Sequence, residues 1–334
     1  MKFIRNIFFP FVPVYYAVTS LRNILYDLGI KKSTSFDFPV ICVGNLSVGG
    51  TGKTPMIEYL IDMLKQNSRV ATLSRGYKRK TRGFLLADES STAESLGDEP
   101  FQFYNKFKKS ILVAVDVNRV NGIEQLHALD DAPEVILLDD AFQHRKVKAG
   151  LNILLTTYNS PYFSDYVLPT GNLREPRSGA NRADIIVVTK CPELISSKDK
   201  EKYVKQIAPK KHQHVFFSSI SYSDEVISAV NKMAINSITN FTLVTGIANA
   251  RPLVDFLESK GLQFEHLNYK DHHDFSEDDI SFLGKEEFIL TTEKDFMRLK
   301  QYESLKSKLY YLPITIKLDN NKKFDKLITD FVAS

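Results

Sequence analysis

The chain has 334 residues, of which 43% are hydrophobic and 25% are charged. This composition excludes a disordered chain, and since single hydrophobic cores stop growing near about 250–300 residues, the length predicts two domains. The two cysteines, Cys42 and Cys191, lie far apart in strand-like apolar sequence. They indicate neither a disulfide framework nor a zinc site, and they favour a reducing compartment.

The formal net charge of +4 lies in the N-terminal segment. In residues 1–32, five basic residues stand against the single Asp27, so the rest of the chain is neutral overall. A nucleic-acid-binding protein usually spreads its positive charge over a folded surface, whereas here the excess belongs to one apolar segment. We therefore expect an anionic membrane surface as a partner, and no nucleic acid. The basic residues concerned are Lys2, Arg5, Arg22, Lys31 and Lys32.

The same segment predicts an amphipathic helix rather than a transmembrane span. Pro10 and Pro13 interrupt its uncharged run, and about 20 apolar residues are needed to cross a bilayer. The apolar face of the predicted helix either packs on the protein's own core or binds a membrane interface, and the pattern leaves both open. After Pro13, apolar residues recur at steps of three or four, at Val14, Val18, Leu21, Leu25 and Leu28.

Continuous apolar runs predict the first set of strands. Runs without alternation are typical of strands that helices cover on both faces, so we expect a mainly parallel sheet between two helical layers. The predicted strands are Pro39–Val43, Val70–Leu73, Ile111–Val115, Val135–Leu138, Leu151–Leu155 and Ile185–Val188.

A second set of runs after residue 210 predicts a smaller α/β unit. The stretches His214–Ser221 and Tyr310–Lys317 bracket it and are expected to pair as a two-strand connector between the units. We therefore divide the chain into an N-terminal helical segment in residues 1–32, a larger domain in 33–213 and a smaller domain in 214–334. The remaining predicted elements are strands at Phe241–Val244 and Phe288–Thr291 and helices around Arg251–Lys260 and Glu277–Leu283.

Residues 40–55 read as a strand, a glycine-rich loop and a helix that begins near Pro55. Glycines let backbone N–H groups close around phosphate oxygens, and the helix N-terminus adds its positive dipole end. In this Walker A arrangement Lys53 would reach the β- and γ-phosphates and Thr54 would bind Mg²⁺. Ser47 departs from the strict pattern, because a glycine usually occupies its position. The predicted ATP-binding residues are Ser47, Val48, Gly49, Gly50, Thr51, Gly52, Lys53 and Thr54.

A Walker B candidate lies downstream, where an apolar strand ends in Asp139 and Asp140. A carboxylate at this place can hold Mg²⁺ directly or through water, and we favour Asp139 for that role. The two motifs predict a P-loop NTPase α/β/α sandwich with a mainly parallel sheet for residues 33–213. The smaller C-terminal α/β domain would be joined to it by the two-strand connector.

Several further motifs occur in one order along the chain, and with the phosphate loop they make it resemble the tetraacyldisaccharide 4'-kinase family up to about residue 300. Two positions depart from the family's usual residues, Ala141 for glycine and Ser47 for threonine. The motifs are Leu73-Ser-Arg-Gly-Tyr77, Gly97-Asp-Glu-Pro100, Asp139-Asp-Ala-Phe-Gln-His144, Pro169-Thr-Gly-Asn-Leu-Arg-Glu-Pro176, Asp271-His-His273 and Thr291-Thr-Glu-Lys-Asp295.

The resemblance implies the reaction and its setting. ATP would give its γ-phosphate to the 4'-hydroxyl of a tetraacylated glucosamine disaccharide 1-phosphate, which forms lipid IVA in lipid A biosynthesis. The lipid disaccharide 1-phosphate would be the substrate, with no obligate protein partner. The protein would act on the cytoplasmic face of the inner membrane, as a peripheral or monotopic enzyme.

The resemblance also implies a proton acceptor for the sugar hydroxyl. Asp98 would serve as the base, oriented by His272, although the sequence around Asp98 alone reads as a turn or helix cap. Because these residues come from different predicted domains, domain closure would assemble the pair. The arginines expected near the lipid phosphate or the transferring phosphate, because guanidinium binds phosphate bidentately, are Arg75, Arg119 and Arg174.

Two other classes of function stay open at this point. A P-loop GTPase is one, since Thr189-Lys-Cys-Pro192 resembles the guanine-reading motif, although Pro192 stands where an aspartate is required. A membrane-tethered, nucleotide-dependent partner switch is the other. It would bind nucleotide without phosphorylating lipid.

Overall fold

The computed structural model describes residues 9–271 and 273–334. Its larger unit is built on a nine-stranded sheet in the order β15-β8-β7-β6-β1-β5-β2-β4-β3. All strand pairs in this sheet are parallel except those of β3 with β4 and of β15 with β8. The strands are β1 (Val40–Asn45), β2 (Val70–Ser74), β3 (Leu85–Leu86), β4 (Leu112–Val115), β5 (Val135–Asp139), β6 (Leu151–Thr157), β7 (Ile185–Thr189), β8 (His214–Tyr222) and β15 (Ile314–Leu318).

Helices cover both faces of this sheet. Every residue of β1, β2, β5 and β7 is buried, which is why these strands read as unbroken apolar runs. The expected α/β/α sandwich is confirmed. The described helices are α1 (Val12–Asp27), α2 (Lys53–Leu64), α3 (Ala93–Leu96), α4 (Asp98–Phe107), α5 (Arg119–His127), α6 (Ser197–Ile207), α7 (Arg251–Ser259), α8 (Glu277–Leu283), α9 (Glu293–Leu299) and α10 (Asn321–Val332).

The two cores of the larger unit lie on opposite faces of the sheet. Alternate residues of each central strand point to opposite sides, so Ile41 and Val43 join the core under α2, α4 and α10, while Val40 and Cys42 join the other. In register, Val43 of β1 pairs with Asp139 of β5. The carboxyl ends of the central strands therefore meet at one edge of the sheet, where the phosphate loop begins.

The smaller unit contains a six-stranded sheet in the order β10-β9-β14-β13-β11-β12. Four neighbouring strands of this sheet, β14, β13, β11 and β12, run parallel. The helices of the smaller unit are α7, α8 and α9. The strands are β9 (Glu225–Ile227), β10 (Lys232–Ala234), β11 (Asn240–Thr245), β12 (Gln263–Asn268), β13 (Ile289–Thr292) and β14 (Leu309–Leu312). A smaller α/β unit is present as predicted.

The two units are joined through the strands β8 and β15. β8 and β15 pair antiparallel, from Ile314 with Tyr222 to Leu318 with Ser218, but β8 also pairs with β7, so both strands extend the large sheet. The chain then ends in α10, whose apolar face is buried against the larger unit's core through residues such as Phe324. The last strand and helix thus pack on the larger unit, because their apolar partners lie there.

The N-terminal helix α1 turns its apolar stripe away from the protein. Val14, Val18 and Leu21 are 63%, 62% and 58% exposed. Another side of the helix makes the contacts with the larger unit: Val12 and Tyr15 pack against its core, and the buried Asn23 donates to Glu175 at 2.7 Å. This stripe therefore does not pack against the protein's own core. None of the described helices combines the length and hydrophobicity needed to cross a bilayer.

Candidate active site

The loop between β1 and α2 forms an open cradle. Gly49 and Gly52 have φ angles of +109° and +86°, in the left-handed region that favours glycine. The Asn45 side chain donates to the Thr51 hydroxyl at 2.8 Å, and the Thr189 hydroxyl donates to the Thr51 carbonyl at 2.8 Å. These bonds fix the loop from both sides. A cavity of about 230 Å³ lies over it, lined by Ser47, Val48, Gly49, Gly50, Thr51, Thr157, Ser160, Asp165 and Asn172.

Ser47 is tolerated because this part of the loop is extended. It forms an antiparallel bridge with Leu173, and the Val48 N–H donates to the Asn172 carbonyl at 2.8 Å. Any residue can adopt this extended backbone, so a glycine is not required. The motif Pro169–Pro176 therefore holds the first half of the phosphate loop in place by backbone pairing.

Asp139 at the end of β5 is a buried carboxylate with one unsatisfied oxygen. It is 3% exposed, and its Oδ2 accepts from the Ser74 hydroxyl at 3.2 Å. Its Oδ1 has no hydrogen-bond partner among the described residues. Burial, with the charge of Glu99 adding to it, raises the pKa of Asp139 to about 7. A divalent cation fits such a carboxylate, because it would supply the missing partner and the compensating charge.

Asp140 is already paired. Lys53 Nζ lies 3.7 Å from its Oδ2, and the Arg174 guanidinium binds it bidentately, at 2.7 Å and 3.2 Å. Lys53 and Arg174 hold the pKa of Asp140 below its usual range, against the effect of burial. Of the two carboxylates, Asp139 is thus the one with a free oxygen for metal.

The three predicted arginines lie at the same edge of the sheet. Arg174 also donates to the side-chain oxygen of Asn45 at the end of β1. Arg119 is 2% exposed, and its Nη1 donates to the Asp116 carbonyl at 2.7 Å. Burial lowers the pKa of Arg119 to about 10, with Asp139 opposing this effect and Arg75 adding to it. Arg75 itself is exposed just beyond β2.

Asp98 is the first residue of α4, and it faces the smaller unit. Its carboxylate accepts a hydrogen bond and ion pair from Arg298 of α9. The contact joins the two units at the proposed base. His272, the predicted partner of Asp98, lies outside the described residues, so the pairing stays a prediction.

Sequence reasoning assigned no role to several residues that belong to this region. Glu99 contributes its charge to Asp139. His144 has an unpaired Nε2 among the described residues, and burial lowers its pKa to about 4. Both residues lie in motifs that carry the family resemblance, and those motifs were the signal that could have identified them. Arg298 had no such signal, because its contact with Asp98 spans 200 residues.

The sequence model of the tetraacyldisaccharide-1-P 4'-kinase family matches residues 4–333. The chain belongs to this family. A tetraacyldisaccharide 4'-kinase from Flavobacterium johnsoniae is 52% identical over 338 residues, which cover 99% of this chain and 98% of the relative. The corresponding protein from Bacteroides thetaiotaomicron is 45% identical and covers 97% of this chain and 92% of its own length.

A solved structure of the same family has the same fold. LpxK from Aquifex aeolicus, in a crystal structure with ATP, superposes with a TM-score of 0.79 at 32% identity, over 98% of this chain and 99% of the other. The predicted resemblance to the tetraacyldisaccharide 4'-kinases and the predicted fold class are confirmed. Membership of this kinase family does not favour the GTPase or the partner switch.

Proposed function

We propose that this family member transfers the γ-phosphate of ATP to the 4'-hydroxyl of a tetraacylated disaccharide 1-phosphate, giving lipid IVA, at the edge formed by β1, β2 and β5. The observation that carries the proposal is the meeting of Lys53, Asp140 and Arg174 beside the half-satisfied, buried Asp139. Cations and a metal-binding carboxylate around a phosphate loop are what phosphoryl transfer requires.

The direct test is an assay of phosphoryl transfer. The purified protein is incubated in detergent with ATP labelled at the γ-phosphate and the lipid disaccharide 1-phosphate. We expect label in the lipid product. Label that appears only as inorganic phosphate, or a preference for GTP, would contradict the proposal.

The chain's own residues divide the work. Residues 47–54 would surround the ATP phosphates, with the backbone N–H groups of residues 49–54 as donors, and Lys53 would neutralise charge on the β- and γ-phosphates. Arg75, Arg119 and Arg174 would bind the lipid phosphate or the transferring phosphate. Asp98 would accept the proton of the 4'-hydroxyl.

Thr54 and Asp139 would hold Mg²⁺. The hydroxyl of Thr54, in the first turn of α2, and the free Oδ1 of Asp139 are oxygen ligands of the kind this ion prefers. When bound, Mg²⁺ would neutralise charge that develops on the phosphate oxygens. Thr54 and Asp139 would orient it.

The raised pKa of Asp139 predicts pH-dependent metal affinity. Below about pH 7 the carboxyl holds a proton that the metal must displace, so we expect the apparent affinity to rise by up to about tenfold per pH unit and to level off above pH 7. Mg²⁺ titrations of activity between about pH 5.5 and pH 8.5 measure this. The Asp139→Asn variant lacks this carboxyl group, so its apparent Mg²⁺ affinity should lose the part of the pH dependence that Asp139 causes. An equal pH dependence of Mg²⁺ affinity in the variant and the unaltered protein would contradict the assignment of Asp139 as a metal ligand.

We further propose that α1 places the enzyme on the cytoplasmic face of the inner membrane as a peripheral or monotopic protein. An exposed apolar stripe on α1 and the positive charge of residues 1–32 together suit an anionic bilayer surface. No nucleic acid and no obligate protein partner are proposed. The boundaries 33–213 and 214–334 remain our proposal for the domains, with residues 314–332 packed on the larger one.

Charged substitutions on the stripe test this proposal. In Val18→Asp/Leu21→Asp we expect the affinity for anionic vesicles to fall by at least about tenfold. Each change removes exposed apolar area that the membrane would bury, and adds a negative charge that anionic lipid repels. Cosedimentation with anionic vesicles measures it. Leu194→Asp is the matched control, since Leu194 is 93% exposed elsewhere on the larger unit. Equal vesicle binding by all three proteins would exclude α1 as the membrane contact.

A further inference from the structure

A charged cluster lies towards the C-terminal end of α4, whereas Asp98 is the first residue of that helix. The Lys106 ammonium is 2.8 Å from Glu58 Oε2 and 3.1 Å from Glu293 Oε2. Gln102 completes the cluster by donating to Glu58 Oε1 at 2.9 Å. Glu58 and Glu293 are only 4% and 5% exposed. The three charged residues come from α2, α4 and α9, so the cluster joins the phosphate-loop helix, the Asp98 helix and the smaller unit.

This arrangement is a poor way to gain stability. Two carboxylates share one ammonium, and Glu293 Oε1 has no partner among the described residues. Burial, with the charge of Glu293 adding to it, raises the pKa of Glu58 above its ordinary value. Apolar side chains of similar volume would usually stabilise such a place at least as well. In some proteins a buried polar or ionic group instead fixes one specific alignment of the elements that it joins.

The alignment in question concerns the reacting groups. Glu58 lies five residues after Lys53 on α2, and Lys106 lies eight residues after Asp98 on α4, so the helical offsets are only about 7.5 Å and 12 Å. A rigid contact between Glu58 and Lys106 therefore limits how Lys53 and Asp98 can move relative to each other.

The same contact extends to the smaller unit. On α9, Glu293 reaches Lys106 and, five residues later, Arg298 reaches Asp98. Helix α9 is thus attached to both ends of α4. The ring of Phe101, between these ends, packs with the smaller unit's core. In the described structure Lys106 contacts both α9 and α2, through Glu293 and Glu58.

We propose that Lys106 is a positioning residue for phosphoryl transfer: by binding Glu58 and Glu293 together, it aligns α2, α4 and α9 so that Asp98 faces the phosphate held by Lys53. Lys106 does not touch the substrate. The inference rests on the proposed function, and it adds a requirement for catalysis that lies outside the phosphate cradle.

The first test compares Lys106 in α4 with Lys109, which lies just beyond the end of that helix. In Lys106→Met we expect kcat to fall by about 10- to 100-fold, because misplacement by about 1 Å costs that much, while the Kd for ATP stays within about twofold. Lys109→Met is the control, since Lys109 is 91% exposed and pairs only with Glu89 in the described structure. Lys106→Arg, which keeps the charge, should recover a large part of kcat. A kcat in Lys106→Met equal to that of Lys109→Met would overturn the proposal.

A second variant separates positioning from folding. Lys106→Met alone leaves two buried carboxylates without their cation, which destabilises the fold. Glu58→Gln/Lys106→Met/Glu293→Gln removes all three charges together and should restore the melting temperature. We expect its kcat to stay low with ATP affinity intact. If kcat returned together with the melting temperature, the cluster would serve stability only and the proposal would be wrong.

The assay also distinguishes the two levels of proposal. If the unaltered protein and Lys109→Met fail to label the lipid, the proposed function fails and the inference falls with it. If both label the lipid at normal rates and Lys106→Met does as well, the inference alone is overturned.

Discussion

Lys53→Ala is expected to lose about 10³-fold or more in kcat/KM, because removing a cation from the β- and γ-phosphates costs several kcal/mol of transition-state stabilisation. Lys53 begins α2 at the end of the phosphate loop, and its ammonium lies 3.7 Å from Asp140. The substitution does not leave the Asp140 carboxylate without a cation, since Arg174 still binds it bidentately. The loss therefore reports on phosphate binding rather than on folding. Steady-state assays with labelled ATP and lipid measure it.

Thr54→Ala is the comparison for this variant, because the neighbouring residue would act through the metal instead. Raising Mg²⁺ should restore part of the activity of Thr54→Ala and none of that of Lys53→Ala. Activity in Lys53→Ala within about threefold of the unaltered protein would exclude the Walker A role of this loop.

The parts of the fold that the sequence predicted well are those that local pattern determines. The strand predicted at Val135–Leu138 is β5, Val135–Asp139, because a strand buried on both faces leaves a continuous apolar run. The phosphate loop was readable for a similar reason. Its positive φ angles favour glycine at Gly49 and Gly52, so these two residues indicate the loop conformation directly.

Other elements depend on contacts that are distant in sequence. Strand β12, Gln263–Asn268, was not predicted, because it is an edge strand whose residues are only partly buried or exposed. Helix α10 was not predicted either, and its partners are distant in sequence: Phe324 is buried in the larger unit's core, and Asp325 accepts a hydrogen bond from the Tyr59 hydroxyl at 2.7 Å. No pattern within a short window contains such information.

The candidate site divides in the same way. Motifs identified Lys53, Asp139 and Arg174, but not that Asp140 is held by two cations while Asp139 keeps a free oxygen. For α1, the sequence left its apolar face with two possible partners. The structure shows that face exposed, since side chains such as Asn23 use the opposite face for their contacts.

Asp98 carries the prediction on which the proposed chemistry depends. Asp98→Ala should retain ATP binding and lose about 10²–10⁴-fold in kcat, the range for a positioned acid or base. Its contact with Arg298 offers a competing explanation, because Asp98→Ala also breaks an ion pair between the two units. Arg298→Met breaks the same ion pair and leaves the carboxylate in place. A loss in Arg298→Met as large as that in Asp98→Ala would therefore assign Asp98 to the interface and not to the reaction.

The predicted partnership with His272 is tested by a double-mutant cycle on kcat. If His272 acts only through the carboxylate, His272→Ala combined with Asp98→Ala should cost little more than Asp98→Ala alone, whereas independent contributions would multiply. Multiplying losses would exclude the pair. An Asp98→Ala enzyme that phosphorylates lipid at the normal rate would leave the acceptor of the hydroxyl proton to be sought among other residues at this edge, beginning with Glu99.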